Sequence, residues 1–182
     1  MHFETRDRVE IVRQQTAYAG RVLHVIDELL RLPSGLLHHH ITVQHPGAVV
    51  ILPYQADGNL MAIRQYRHAV RQTLLEFPAG TLEPDEDPLL CAKRELAEEV
   101  GRVASDWHDL GELLPAPGFC NETQYCFFAA GLTPCETNLD DDELIEVVSL
   151  SKAEIERAIR DGDMKDGKSI SIYMRATLFG WL

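Results

Sequence analysis

The chain lacks several features that would narrow its class at once. None of its 182 residues falls in an apolar run approaching the roughly 18 residues of a membrane-spanning helix, so no membrane association is expected. The opening stretch, MHFETRDRVEIVRQQ, contains no apolar leader segment, and a cytoplasmic location is the expectation. Cysteine is sparse. Cys91, Cys120, Cys126 and Cys135 form no CxxC pair and show no zinc-like spacing. Without a leader, free thiols are expected rather than disulfides. Positive charge is also short: 17 Lys and Arg stand against 29 Asp and Glu, a net charge of −12. That excludes a general nucleic-acid binder, which carries a basic face. It leaves room for a small phosphorylated ligand, because a bound cation bridges acid to phosphate. There is no internal repeat, low-complexity tract or long linker.

What is present is an ordinary globular composition, 45% hydrophobic and 25% charged. The length suits one domain with a small appendage. A chain of about 150 residues buries roughly 68–70% of its unfolded surface, so a sizeable core is available. Within 9–45, short apolar runs alternate with turn signals. RVLHVIDELLRL (21–32) has leucines at helical spacing, but Pro33-Ser34-Gly35 follows at once. Two strands joined by that turn are the preferred reading. GAVVILPY (47–54) reads as a buried strand. Asp57-Gly58 reads as a hairpin turn, with NLMAIRQYR as the return strand.

Asp87-Pro88 signals a helix start, Asp as N-cap and Pro at the first helical position. Leu89, Leu90, Leu96 and Val100 supply its apolar face, and Gly101 ends it. Two strand-like pieces lie within 107–132, and LDDDELIEVVSL is an acidic loop running into a strand. Ser151 with Glu154 makes a capping box for a helix ending near Asp161-Gly162, and 169–181 reads as a last helix. Irregular alternation with hairpins indicates α+β, a mixed sheet between helices.

One stretch is at odds with simple helix energetics. KRELAEEVG (93–101) places Glu95, Glu98 and Glu99 on one helical face. Like charges at that spacing destabilise an isolated helix by about 0.2–0.5 kcal/mol per pair. A solvated charged face, partly offset by Lys93 and Arg94, is one reading. A cation site is the other, and the flanking residues favour it. From Gly80 the chain runs five residues to Glu86, then seven to Arg94-Glu95-Leu96, one to Glu98-Glu99 and one to Gly101.

That pattern resembles the Nudix box, the signature of the Nudix hydrolases. It departs only at Arg102, where the family has an aliphatic residue; Val103 follows. The resemblance implies an α/β/α sandwich with a mixed β-sheet. It also implies a loop–helix–loop holding Mg²⁺ or Mn²⁺ through Glu95 and Glu99, with Glu98 joining and the Ala79 carbonyl as a further ligand. Glu86 and Arg94 would brace the loop–helix–loop. Gly80 and Gly101 would mark positions where a side chain clashes or positive φ is needed. The implied activity is hydrolysis of a pyrophosphate link.

RQYR (64–67), EFPAG (76–80), APGFCNE (116–122) and LDDDELIEVV (139–148) resemble, in order and spacing, the ADP-ribose pyrophosphatase branch, which acts on nucleoside diphosphate sugars. On that resemblance Arg64 and Arg67 are candidates to hold phosphates. The catalytic base stays open among Asp141, Glu143 and Glu122, because the family's glutamate aligns with the shorter Asp141. Residues 1–45 would be a β appendage that exchanges with a second subunit, giving a homodimer, and 46–182 the catalytic domain. Tyr18 or another aromatic would stack on the base. GDP-mannose or another sugar nucleotide is the alternative substrate, and a non-catalytic nucleotide sensor the alternative function. His38-His39-His40 cannot all reach one ion from a strand, since neighbours face opposite sides. Cys120 has no histidine spacing that marks a nucleophile.

Overall fold

The computed structural model describes residues 9–137 and 144–182, which form two compact units. In the first, residues 9–46 and 116–122, the three strands β1 (Glu10–Ala19), β2 (His24–Arg31) and β3 (Leu37–Gln44) pair antiparallel in that order. The Pro33-Ser34-Gly35 turn joins β2 to β3, with Gly35 at φ 85° and its N–H donating to Leu32 O at 2.8 Å. The preference for strands over a helix in 21–32 holds. The segment 116–122 bonds to β3: Val43 N donates to Phe119 O at 2.7 Å and Asn121 N donates to Val43 O at 3.1 Å.

The second unit, residues 47–115 and 123–182, contains β4 (Ala48–Pro53), β5 (Leu60–Arg67), β6 (Gln72–Glu76) and β7 (Ala79–Thr81). The helix α1 (Pro88–Val100) follows, then β8 (Arg102–Leu113), β9 (Gln124–Pro134), β10 (Ile145–Leu150), α2 (Lys152–Asp161) and α3 (Gly167–Leu178). Two sheets result, ordered β7-β4-β9-β8 and β10-β5-β6, with β4 and β9 parallel and every other pair antiparallel.

Alternation along β4 and β5 sorts the core into two layers. Val49, Ile51, Met61 and Ile63 pack with Cys91, Ala92, Leu96 and Val100 of α1. Val50, Leu52, Leu60 and Ala62 pack with Ile155 of α2 and Ile172, Tyr173 and Ala176 of α3. Period-2 side chains on strands buried on both faces give this arrangement. The unit is therefore an α/β/α sandwich with a mixed sheet, as the sequence indicated.

Three expectations need correction. The Asp57-Gly58 turn forms, with Gly58 at φ 87° and its N–H donating to Gln55 O at 3.0 Å, but beyond the antiparallel Tyr54–Leu60 bridge β4 and β5 part into different sheets. β9 pairs along all of β4 and β7 along Ala48–Val50, while β5 takes β6 and β10 as its own partners. Leu90 is 59% exposed. At 100° per residue it falls away from the Ala92, Leu96 and Val100 stripe, and Cys91 is buried instead. The last helix begins at Gly167, two residues early, because Asp166 caps it by accepting from Ser169 N at 3.0 Å.

Candidate active site

The helix α1 is fixed at both ends by its own sequence. Asp87 Oδ1 accepts from Leu89 N at 2.9 Å and Leu90 N at 3.1 Å, with Pro88 following. Gly101 sits at φ 64° and closes the helix by donating to Ala97 O at 3.0 Å. A Cβ there would also approach Thr137 to 2.7 Å. The helix is thus held in phase, and Glu95, Glu98 and Glu99 share one side with Arg94.

Arg94 answers the repulsion among these acids. Its Nη1 donates to Glu95 at 2.7 Å and to Glu98 at 3.0 Å, while Nε and Nη2 each donate to Glu86 at 3.1 Å. These charge-assisted bonds are roughly twice as strong as neutral ones. The Arg94 hydrogen bond lowers the Glu86 carboxyl to about 2, and the Arg94 guanidinium is raised in turn, first by its bond to Glu86. Glu86 also accepts from Glu83 N at 2.9 Å, tying the loop to the helix.

Glu99 is 2% exposed, and its Oε2 accepts from Ala79 N at 3.1 Å. Gly80 is the next residue, and its role is steric. An added Cβ would lie 1.9 Å from the Glu95 carboxyl carbon, so Glu95 occupies the room that Gly80 vacates. The end of β7 and the face of α1 therefore interlock through two glutamates. Among the described residues, no three His, Cys, Asp or Glu side chains converge as a ready-made ion site. Arg94 and the Ala79 N–H hold the carboxylates instead. The donors are nonetheless all oxygen, the set a hard divalent cation takes, and the fitted Gly80–Glu95 cradle suits it.

β5 separates the two arginines of RQYR. Residues 60 and 62 face α2 and α3, and 61 and 63 face α1, so Arg64 and Arg67, three apart, point to opposite faces. Arg64 stands half exposed, 3.9 Å from Glu146, and lines a cavity of about 480 Å³ with Arg157 and Lys165. Arg67 grips Glu76: Nε lies 3.0 and 3.2 Å from its two oxygens, and Nη2 lies 2.7 Å from Oε2. Burial works against the Arg67 charge. The bond to Glu76 and the charges of Glu76, Glu99 and Asp166 more than offset it, so its pKa is raised. The charge of Glu99 thus reaches Arg67.

Glu76 is 1% exposed and also pairs with Lys168. Lys168 Nζ donates to Asp166 at 2.9 Å as well. Neither Glu76 nor Lys168 stood out in the sequence. Glu76 opens the EFPAG run, and no local pattern there points to Lys168.

Residues 43–170 match the NUDIX domain family. The chain belongs to the NUDIX family. It is 31% identical to the ADP-ribose pyrophosphatase of Bacillus subtilis over 160 residues, 87% of this chain and 86% of that protein. It is 35% identical to the GDP-mannose pyrophosphatase of Yersinia enterocolitica over 146 residues, 75% of each chain. A solved structure described as an ADP compounds hydrolase superposes with a TM-score of 0.86 at 24% identity, covering 97% of this chain and 96% of that one. At that identity the likeness concerns the fold.

Four further candidates remain. Tyr18, on β1, is 63% exposed. Glu122 belongs to the segment that joins the first unit. Asp141 and Glu143 lie outside the described residues. His38 and His40 face one side of β3, with ring centroids 6.2 Å apart, while His39 approaches Asp27 at 3.6 Å. Cys91 and Cys126 are free and buried, and burial pushes both thiols up to about 12.

Proposed function

We propose that this chain hydrolyses the pyrophosphate bond of a nucleoside diphosphate sugar, with ADP-ribose the leading substrate and AMP and ribose 5-phosphate the products. The observation that carries this reading is the interlocked face of α1. There Glu99 accepts from Ala79 N, Glu95 fills the space beside Gly80, and Arg94 binds Glu95 and Glu98. Glu95, Glu98, Glu99 and the Ala79 carbonyl would hold Mg²⁺ or Mn²⁺. The chemistry a bound divalent ion supplies is polarisation of phosphoryl oxygens and a water made nucleophilic at neutral pH.

The chain's own residues do the rest. Arg94 keeps three carboxylates from dispersing before an ion arrives. Arg67 has 37% of its side chain exposed and turns Nε and Nη2 to Glu76. Its Nη1 edge is left for a phosphate, which a guanidinium matches in shape. The proton acceptor for the attacking water is one of Glu122, Asp141 and Glu143. The N-terminal strands would serve a cytoplasmic homodimer, with Tyr18 toward the base. That state is read by mass in solution.

A substrate panel tests the reading: ADP-ribose, GDP-mannose and UDP-glucose, each with Mg²⁺ and with EDTA. Turnover of a sugar nucleotide that stops in EDTA is expected, with ADP-ribose leading. Turnover that persists in EDTA contradicts the mechanism. GDP-mannose ahead of ADP-ribose transfers the specificity to the reading that the Yersinia relative favours.

A further inference from the structure

The clamp between α3 and the strand leading into the box has no part in the reading so far. Four successive residues are held by β5, α3, β4 and α1 between them. The Glu76 carboxylate lies between Arg67 of β5 and Lys168 of α3. The Phe77 N–H donates to Ser169 Oγ at 2.7 Å, 92 residues away in sequence. Pro78 O accepts from Ile51 N at 2.9 Å. Ala79 N donates to Glu99 at 3.1 Å. The α3 end is itself closed. Asp166 Oδ2 accepts from Ser169 Oγ at 2.6 Å, from Ser169 N at 3.0 Å and from Lys168 Nζ at 2.9 Å. Ser169 is fully buried and the Lys168 side chain is 12% exposed. Lysine is almost never buried to this degree unless paired.

We propose that the first turn of α3, through Lys168 and Ser169, is a positioning device that sets Arg67 and the 76–80 segment against the glutamates of α1. The inference rests on the hydrolase reading above. Lys168 is a positioning residue that acts through Glu76. Lys168 bridges Glu76 to Asp166, so two cations and two carboxylates alternate in one chain. What Lys168 fixes is the position of the Glu76 carboxylate, and through it the direction in which Arg67 turns its exposed edge. Ser169 fixes the backbone one residue further on, at Phe77, two residues before Ala79. A purely structural network would protect the fold and leave substrate binding alone, so kinetics separate the two roles.

The experiment compares wild type, Lys168→Met, Lys168→Arg, Arg67→Met and the double Arg67→Met/Lys168→Met on ADP-ribose with Mg²⁺. Lys168→Met is expected to raise KM about tenfold, the effect of one weakened charged hydrogen bond, with kcat changed far less. Lys168→Arg restores most of the loss. The double variant is no worse than Arg67→Met, because both act on one contact. Should methionine prevent folding, Lys168→Gln takes its place. Failure of both to fold, with Lys168→Arg folded and normal in KM, assigns a structural role and overturns the inference. So does an unchanged KM in folded Lys168→Met, or losses that multiply in the double variant. In those cases wild-type turnover leaves the hydrolase reading standing. No wild-type turnover on any sugar nucleotide removes both.

Discussion

Gly80→Ala separates the ion site from the fold more cleanly than removal of any carboxylate. The new Cβ would stand 1.9 Å from Glu95 Cδ, 2.0 Å from Oε1 and 2.2 Å from Cγ. Ordinary carbon–carbon contact is about 3.5–4.0 Å, so the Glu95 head must retreat by roughly 1.6–2.1 Å. Gly80 is not at positive φ, and its β7 pairing with Val49 survives. The displaced glutamate loses its 2.7 Å bond to Arg94, and an off-rotamer side chain costs about 0.5–1.5 kcal/mol. Alanine in place of a strand glycine returns about 0.5–1 kcal/mol. With about 1.5–3 kcal/mol for the lost charged bond, the net destabilisation is about 1–4 kcal/mol.

The effect on ion binding is larger. Losing an outer partner of a metal ligand costs about 10–100-fold in affinity, and here a ligand itself is displaced. The assay is a Mn²⁺ titration followed by electron paramagnetic resonance, beside urea unfolding of the same samples. The expected result is affinity weakened by about 10-fold or more in a folded protein. Affinity equal to wild type refutes the placement of Glu95 among the ligands.

Two predictions concern the brace. Arg94→Met leaves Glu86, Glu95 and Glu98 together without their cation, with side chains 15%, 12% and 32% exposed. Destabilisation approaching about 3–5 kcal/mol follows, read by urea, and a loss under about 1 kcal/mol contradicts the role. Glu86 has its pKa lowered from 4.5 to about 2, chiefly by the Arg94 hydrogen bond. Its contribution is complete above its unfolded value near 4.5 and fades as pH falls toward about 2. The stability gap between wild type and Glu86→Gln should therefore be constant above that window and narrow within it. A gap that widens in acid refutes the assignment.

The box was legible because its signals are short in range. The Asp87 cap, the Gly101 stop and the Glu95–Glu99 spacing each act within a turn or two of α1. The capping box of Ser151 and Glu154 was readable for the same reason. What escaped depends on contacts far apart in sequence. The separation of β4 from β5 goes with β5 being paired on both sides by β6 and β10, the latter about 80 residues later in the chain. The opposite facing of Arg64 and Arg67 is the exception, since strand period within RQYR dictates it. The Glu76–Lys168 pair joins residues 92 apart and leaves no local trace.

The most direct measurement is a crystal structure with Mn²⁺ and a slowly hydrolysed ADP-ribose analogue, using manganese anomalous scattering to locate ions. The account predicts manganese among Glu95, Glu98 and Glu99, with the diphosphate against it and the carboxylates drawn away from Arg94. Carboxylates still bonded to Arg94, with no ion among them and the analogue bound elsewhere, would contradict it.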